Sequence, residues 1–298
     1  MRAVAAALET RFGWRRVSLF VLLALVSLSL MACANPQTVL TQLVDARRLA
    51  SELHLQFTQS AEAANRAVMA EGDDAAAAAA DEARRARQVV ERDLHALRTN
   101  LQSSSYGDDL RHLDDFEARF REYRRLDDEI LPLAVENTNL KAQRLSFGAG
   151  REAADAFRSA LDAAVRSAKD SPRARDLAAA ARIAVLEILV LQAPHIAEPR
   201  DDAMTRFEEQ MKTSAANARK ALAGLQGLCA PADAANATAA LDRFVAINDQ
   251  IVALSRRNTN VRSLALALGR KRAVTAECAD QLKALEEALA KHEFTATR

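Results

Sequence analysis

Two clusters of amides and cations are the groups in this chain best suited to hold a small anion. The first is Asn137, Asn139, Lys141 and Arg144, within NTNLKAQRLSFG (137–148). The second is Arg257, Asn258, Asn260 and Arg262, at and just before NTNVRSLALALG (258–269). An amide both donates and accepts hydrogen bonds, while ammonium and guanidinium groups only donate, so such a set can close around a carboxylate or another small polar molecule. The two copies lie 121 residues apart. A spacing that regular means the chain is built twice from one unit, and the same point in each unit carries the polar triplet. His195, in PHIAEP (194–199), is the one histidine whose surroundings suit a helix cap or a ligand contact.

The same asparagines have a second reading. Tyr123, Leu126, Ile130, Leu133, Asn137, Leu140, Arg144 and Phe147 follow a 3,4 spacing, as do Phe244, Ile247, Ile251, Leu254, Asn258, Val261, Ala265 and Leu268. This is the seam of a heptad pattern, with Asn137 and Asn258 at its core and Asn139 and Asn260 facing elsewhere. A buried asparagine in a heptad core fixes register at a cost in stability. Register control and ligand binding therefore both stay open at these residues.

The elements that position them are helices. Half of the residues are hydrophobic, only 4% are aromatic, and 8 glycines and 6 prolines are spread over 298 residues. Such an Ala-, Leu-, Glu- and Arg-rich composition builds long helices, not sheets. Ser171-Pro172 and Asn35-Pro36 look like caps followed by proline at the first helical position, and turns are expected at 71–74, 103–107, 194–199 and 227–231. Glu52 aligns with Glu187, Leu97 with Leu225 and Asn137 with Asn258, at offsets of 135, 128 and 121. Each step is one heptad, so a deletion at each hairpin keeps the buried face in register.

The expected fold is all-α, with two stacked antiparallel four-helix bundles built from six helices. Two long helices, each about 95 Å at 1.5 Å per residue, are shared between the bundles. The alternative breaks them at Gly148 and Gly269, giving eight helices in tandem bundles. The shared version brings both triplets near the middle of the long helices, beside the hairpin turns and His195. Repeat units are expected at about 36–170 and 172–295.

Residues 1–34 read as an export signal or membrane anchor. Arg11, Arg15 and Arg16 precede the apolar stretch from Val17 to Ala32, which ends in Leu30-Met31-Ala32-Cys33. That ending is similar to a bacterial lipobox and makes Cys33 a lipidation candidate, with an uncleaved anchor as the alternative. Either places residues 35–298 on the periplasmic side of the cell envelope, held to the membrane. No second apolar span is expected.

With 41 basic and 40 acidic residues there is no basic stripe for nucleic acid. His54, His95, His112, His195 and His292 show no metal spacing, and Cys229 and Cys278 show none either. Cys278 reads as a small core residue and His54 as a histidine on an apolar stripe. No nucleophile elbow, phosphate loop or dinucleotide fingerprint is present, so neither an enzyme nor a cofactor is expected.

The segments ENTNLKAQRLS and RRNTNVRSLAL, set in heptad helices after an export signal, resemble the periplasmic four-helix-bundle sensor domain of methyl-accepting chemotaxis receptors. The paired bundles are similar to the helical bimodular variant of those sensors. The resemblance spans about residues 36–295 and implies a signal-transduction role with a small ligand, a carboxylate for instance, or a membrane receptor as partner. It carries over no ligand-binding residue. A full receptor continues through a second span into a HAMP linker and a cytoplasmic hairpin, and none of these is read before Arg298. The rival expectation is a structural envelope lipoprotein whose asparagines only set register.

Overall fold

The computed structural model describes residues 36–103, 106, 109–169 and 171–292, and Cys33 with the export segment lies outside them. The described chain is all-α and 93% helical. The helices are α1 (Pro36–Met69), α2 (Asp73–Ser103), α3 (Leu110–Glu136), α4 (Thr138–Leu145), α5 (Arg151–Ser167) and α6 (Pro172–Ala197). There follow α7 (Asp201–Leu225), α8 (Pro231–Arg257), α9 (Thr259–Leu266) and α10 (Arg272–Lys291). Short π-helical turns, Ser146–Gly150 and Ala267–Lys271, join α4 to α5 and α9 to α10. Counting α3–α5 and α8–α10 as two interrupted long helices gives the expected six.

Local sequence explains most of the ends. The Ser171 hydroxyl accepts from the Ala174 amide at 3.3 Å, with Pro172 first in α6. Pro231 opens α8 in the same way, and Gly227, at φ 84°, closes the turn after α7. Asp73 and Asp74 lie in the first turn of α2, where a negative charge suits the helix dipole. Two prolines run inside helices. Pro132 sits within α3, where the sequence pattern gives no sign of a break. Pro194 lies inside α6, so the turn expected at 194–199 shrinks to 198–200.

The larger correction lies at the triplets. The heptad reading carries one helix straight through each of them, yet Asn137 (φ 55°) and Asn258 (φ 53°) are left-handed and end α3 and α8. Asparagine tolerates this region better than other side-bearing residues. The break rotates the buried face. Thr138, Asn139 and Ala142 are buried after it, while Arg144 and Phe147, expected on the seam, turn outward. The second copy does the same, burying Thr259 and Ser263 and exposing Ala265 and Leu268.

Contacts divide the chain into two units. The first takes 36–55, 90–117 and 280–292 among the described residues. Its core is leucine-rich, with Leu43, Leu53, Leu97, Leu113, Phe116 and Leu285 buried. Arg47 donates to the carbonyls of Leu289 and His292, and His54 meets Glu286 at 3.1 Å. His54 is therefore a half-buried polar partner and not a core residue.

The second unit takes 56–89 and 118–279. Its core has two parts. Phe157, Leu161, Ile188, Met211, Leu225 and Phe244 pack between α5, α6, α7 and α8. Phe57, Phe120 and Tyr123 form an aromatic group with ring centroids 5.1 to 6.2 Å apart. Cys278 is fully buried, and burial pushes its thiol up to about 12. Helix α6 is long and apolar enough to cross a membrane, with a mean hydropathy of 1.7 in its best window, although no second span is expected from the sequence. Here it packs on α7 and leaves Ile183, Leu186 and Val190 exposed.

Candidate functional site

Both triplets lie in the second unit, and they bond to each other. A helix that starts afresh after a left-handed residue has lost the carbonyls its first amides would have used. In α4 and α9 the other triplet supplies them. The Thr138 amide donates to Thr259 Oγ1 at 3.0 Å, and the Thr259 amide to Thr138 Oγ1 at 3.2 Å. One residue on, the Asn139 amide donates to Asn260 Oδ1 and the Asn260 amide to Asn139 Oδ1, both at 3.1 Å. The side-chain amides close the ring: Asn139 Nδ2 donates to Asn258 Oδ1 at 2.7 Å and Asn260 Nδ2 to Asn137 Oδ1 at 2.6 Å. Each triplet is the N-terminal cap of the other's helix. Asn139 and Asn260 do not face elsewhere; they are half of the clasp.

The hairpin turns join it, as the expected placement near the middle of the long helices requires. Asn139 also donates to Ile196 O at 2.7 Å, and Asn258 Nδ2 donates to Glu198 O at 2.9 Å, so both satisfy carbonyls at the end of α6. On the other side Asn137 Nδ2 donates to Asp73 Oδ1 at 3.3 Å. Lys141 donates to Glu136 O and lies 3.5 Å from Asp73, while Arg144 donates to Glu71 O. Arg257 pairs with Glu136, its own counterpart in the other copy, and Arg262 is exposed. The cations expected around a ligand are thus spent mostly on turns and on one ion pair.

His195 is fully buried inside α6. Its Nδ1 lies 2.8 Å from Ser255 Oγ, whose single proton goes to His195 O at 3.0 Å. Nδ1 must therefore donate. Nε2 faces Glu208 Oε1 at 3.0 Å. Burial alone would raise the Glu208 carboxyl, but hydrogen bonds from Arg256, at 2.5 Å, and His195 outweigh it and hold the group below the usual range.

A second polar group escapes the sequence reading. Asp127 is 0% exposed and pairs with Lys271, 2% exposed, whose Nζ lies 5.0 Å from the centre of the Tyr123 ring. Tyr123 OH contacts Ser60 Oγ at 3.3 Å. Burial raises the Asp127 carboxyl and the Tyr123 phenol and lowers the Lys271 ammonium. Asp127 Oδ2 is left without a partner. The 121-residue spacing of the triplets gives the signal that could have found it. Asp127, Tyr123 and Lys271 correspond, 121 residues apart, to Asn248, Phe244 and Gly150. Around Asn248 the buried polar set is neutral: Gln192 Nε2 donates to Asn248 Oδ1 at 2.9 Å and Ser146 Oγ to Gln192 Oε1 at 2.6 Å. The two copies hold different chemistry at one position.

No family model matches the sequence, and no curated protein matches it as a relative. One solved structure is similar in fold, the sensor domain of the V. parahaemolyticus histidine kinase sensor TorS. The likeness covers 82% of this chain and 99% of that one, with a TM-score of 0.56 and 11% sequence identity.

Proposed function

We propose that this chain is an extracytoplasmic, sensor-like helical protein that binds a small polar ligand or a membrane receptor partner in signal transduction, without catalysis of its own. The observation that carries this reading is the shared fold: 82% of the chain follows the backbone of a histidine kinase sensor domain. The chemotaxis-receptor form of the reading rests on the resemblance of the triplet segments and is the narrower claim. A membrane attachment through Cys33 or an uncleaved anchor belongs to the same reading.

The test is a thermal-shift screen of the full-length protein against small organic acids and amino acids. A compound that raises Tm in a saturable, concentration-dependent way supports a sensor. A screen in which nothing shifts Tm, together with no receptor recovered by cross-linking in cells, sinks it.

At the triplets themselves, one observation favours the structural alternative. Every amide of the clasp has a partner within the protein, so Asn137, Asn139, Asn258 and Asn260 serve as caps and register pins. A ligand there would have to break bonds already made.

A further inference from the structure

We propose a binding site for an amphipathic anion in the groove between α5 and α6, beside the first π turn. The inference rests on the sensor reading and gives it a location and a ligand class. The groove encloses about 580 Å³, the size of a small-molecule site. Phe157, Val185 and Leu189 form an apolar floor, Phe147 and Leu186 stand at its edge, and Gln192 closes the inner end. Phe147 is 64% exposed, a large apolar side chain left in water beside an apolar groove.

Three arginines and one carboxylate reach the same groove. Arg158 pairs with the lining Asp155 at 3.1 Å. Arg182 gives one nitrogen to Asp162 at 2.5 Å and keeps Nε buried with no partner. Arg151 is exposed on the lining. The lining therefore carries a surplus of positive charge next to apolar surface. A carboxylate, sulfonate or phosphate head would sit between Arg151 and Arg182, and a short hydrocarbon tail would cover Phe147 and the floor.

The repeat supplies an internal comparison. A groove of about 520 Å³ lies beside the second π turn, lined by Leu268, Arg272, Ala276 and Ala279. These are the counterparts, 121 residues on, of Phe147, Arg151, Asp155 and Arg158. The scaffold opens a groove at both places, but of these positions only 151/272 keeps its cation in both. Lys271, which also lines the second groove, is already paired with Asp127. The first groove thus carries three arginines against one carboxylate, the second one arginine and a lysine already paired, so the larger positive surplus belongs to the first groove.

The experiment uses full-length protein in nanodiscs of zwitterionic lipid, so that no detergent competes. Titration calorimetry compares octanoate with acetate and with octanol. Octanoate is expected to bind at least tenfold more tightly than either, because neither the head nor the tail suffices alone. Arg151→Gln, Arg182→Gln and Phe147→Ala should each weaken octanoate by about fivefold or more, with Arg272→Gln unchanged and circular dichroism of all four unaltered. Octanoate affinity equal in Arg151→Gln, Arg182→Gln and the parent overturns the site. So does a screen in which another acid raises Tm while octanoate fails to bind, an outcome that leaves the sensor reading standing. If neither octanoate nor any screened compound binds, the site falls, and the sensor reading falls with it when cross-linking in cells also recovers no receptor.

Discussion

Thr138 and Thr259 each cap the other's helix: the hydroxyl of one accepts the backbone amide of its counterpart, and the two hydroxyl oxygens lie 3.1 Å apart. Replacing either by valine keeps the shape and strands a buried amide, at a cost of about 1–3 kcal/mol. Chemical denaturation of Thr138→Val, Thr259→Val and the double variant should show the double costing less than the sum, since the shared hydroxyl contact is lost only once. Strict additivity would mean that the threonines act independently.

The left-handed asparagines reverse the expectation for a leucine substitution. In a continuous heptad, Asn137→Leu would stabilise. At φ 55° it meets a steric penalty of about 1–2 kcal/mol and loses the bonds to Asn260 and Asp73. Asn137→Leu and Asn258→Leu should each lower stability by about 2–4 kcal/mol, whereas Asn137→Gly, free of the steric term, should lose less. Urea midpoints for the three variants decide it.

Asp127 and Lys271 form a buried pair whose counterparts 121 residues away, Asn248 and Gly150, carry no charge. Lys271→Met alone leaves a buried carboxylate unpaired and should cost about 3–5 kcal/mol at pH 7, while Asp127→Leu with Lys271→Met should recover most of that loss. The folded pKa of Asp127 is raised, so its contribution is full below the usual carboxylate range and is lost as pH rises through the folded value. The single Lys271→Met variant should therefore regain stability as the pH falls below 7. A flat pH response in that variant would contradict this.

Glu208 has the opposite sign. Its folded pKa is depressed, so the stability it adds is present above the usual carboxylate range and is lost as pH falls through the folded value. Glu208→Gln should unfold earlier at pH 7, and its deficit against the parent should shrink on acidification.

Two glycines of the first π turn make a contrast. A Cβ on Gly150 would meet Leu145 O at 3.1 Å and Ile251 Cδ1 at 3.4 Å, whereas one on Gly148 meets nothing within 4 Å. Gly148→Ala is expected to be neutral or stabilising by up to about 1 kcal/mol, and Gly150→Ala destabilising. Thermal unfolding of the pair measures the difference.

Much of this was legible in the sequence. The all-α fold, the six helices once the breaks are set aside and the proximity of the triplets follow from composition and heptad spacing, while the turn expected at 103–107 falls on residues outside the described ones. What was not legible is conformational. Asn137 fits a heptad core, and nothing in its neighbours distinguishes a helical asparagine from a left-handed one. The seam was therefore carried too far, and Phe147 and Leu268 were placed inward when they face water. The grooves stayed hidden for the same reason, because the rotation after each break turns those residues outward. Nothing in the type or spacing of Asp127 separates it from the exposed carboxylates of the other helices, and only Asn248, 121 residues on, marks the position as polar.

The clasp also has the symmetry of a dimer interface. Its bonds run from residue i to j and from j to i, which is the rule for an interface on a two-fold axis between identical chains. One chain here does with itself what two copies of its half would do with each other. A substitution in either triplet is therefore felt twice, once as a lost cap and once as a lost partner. The threonines are identical at the two positions, whereas the residues 121 apart in the core around them differ, Asp127 against Asn248 and Tyr123 against Phe244.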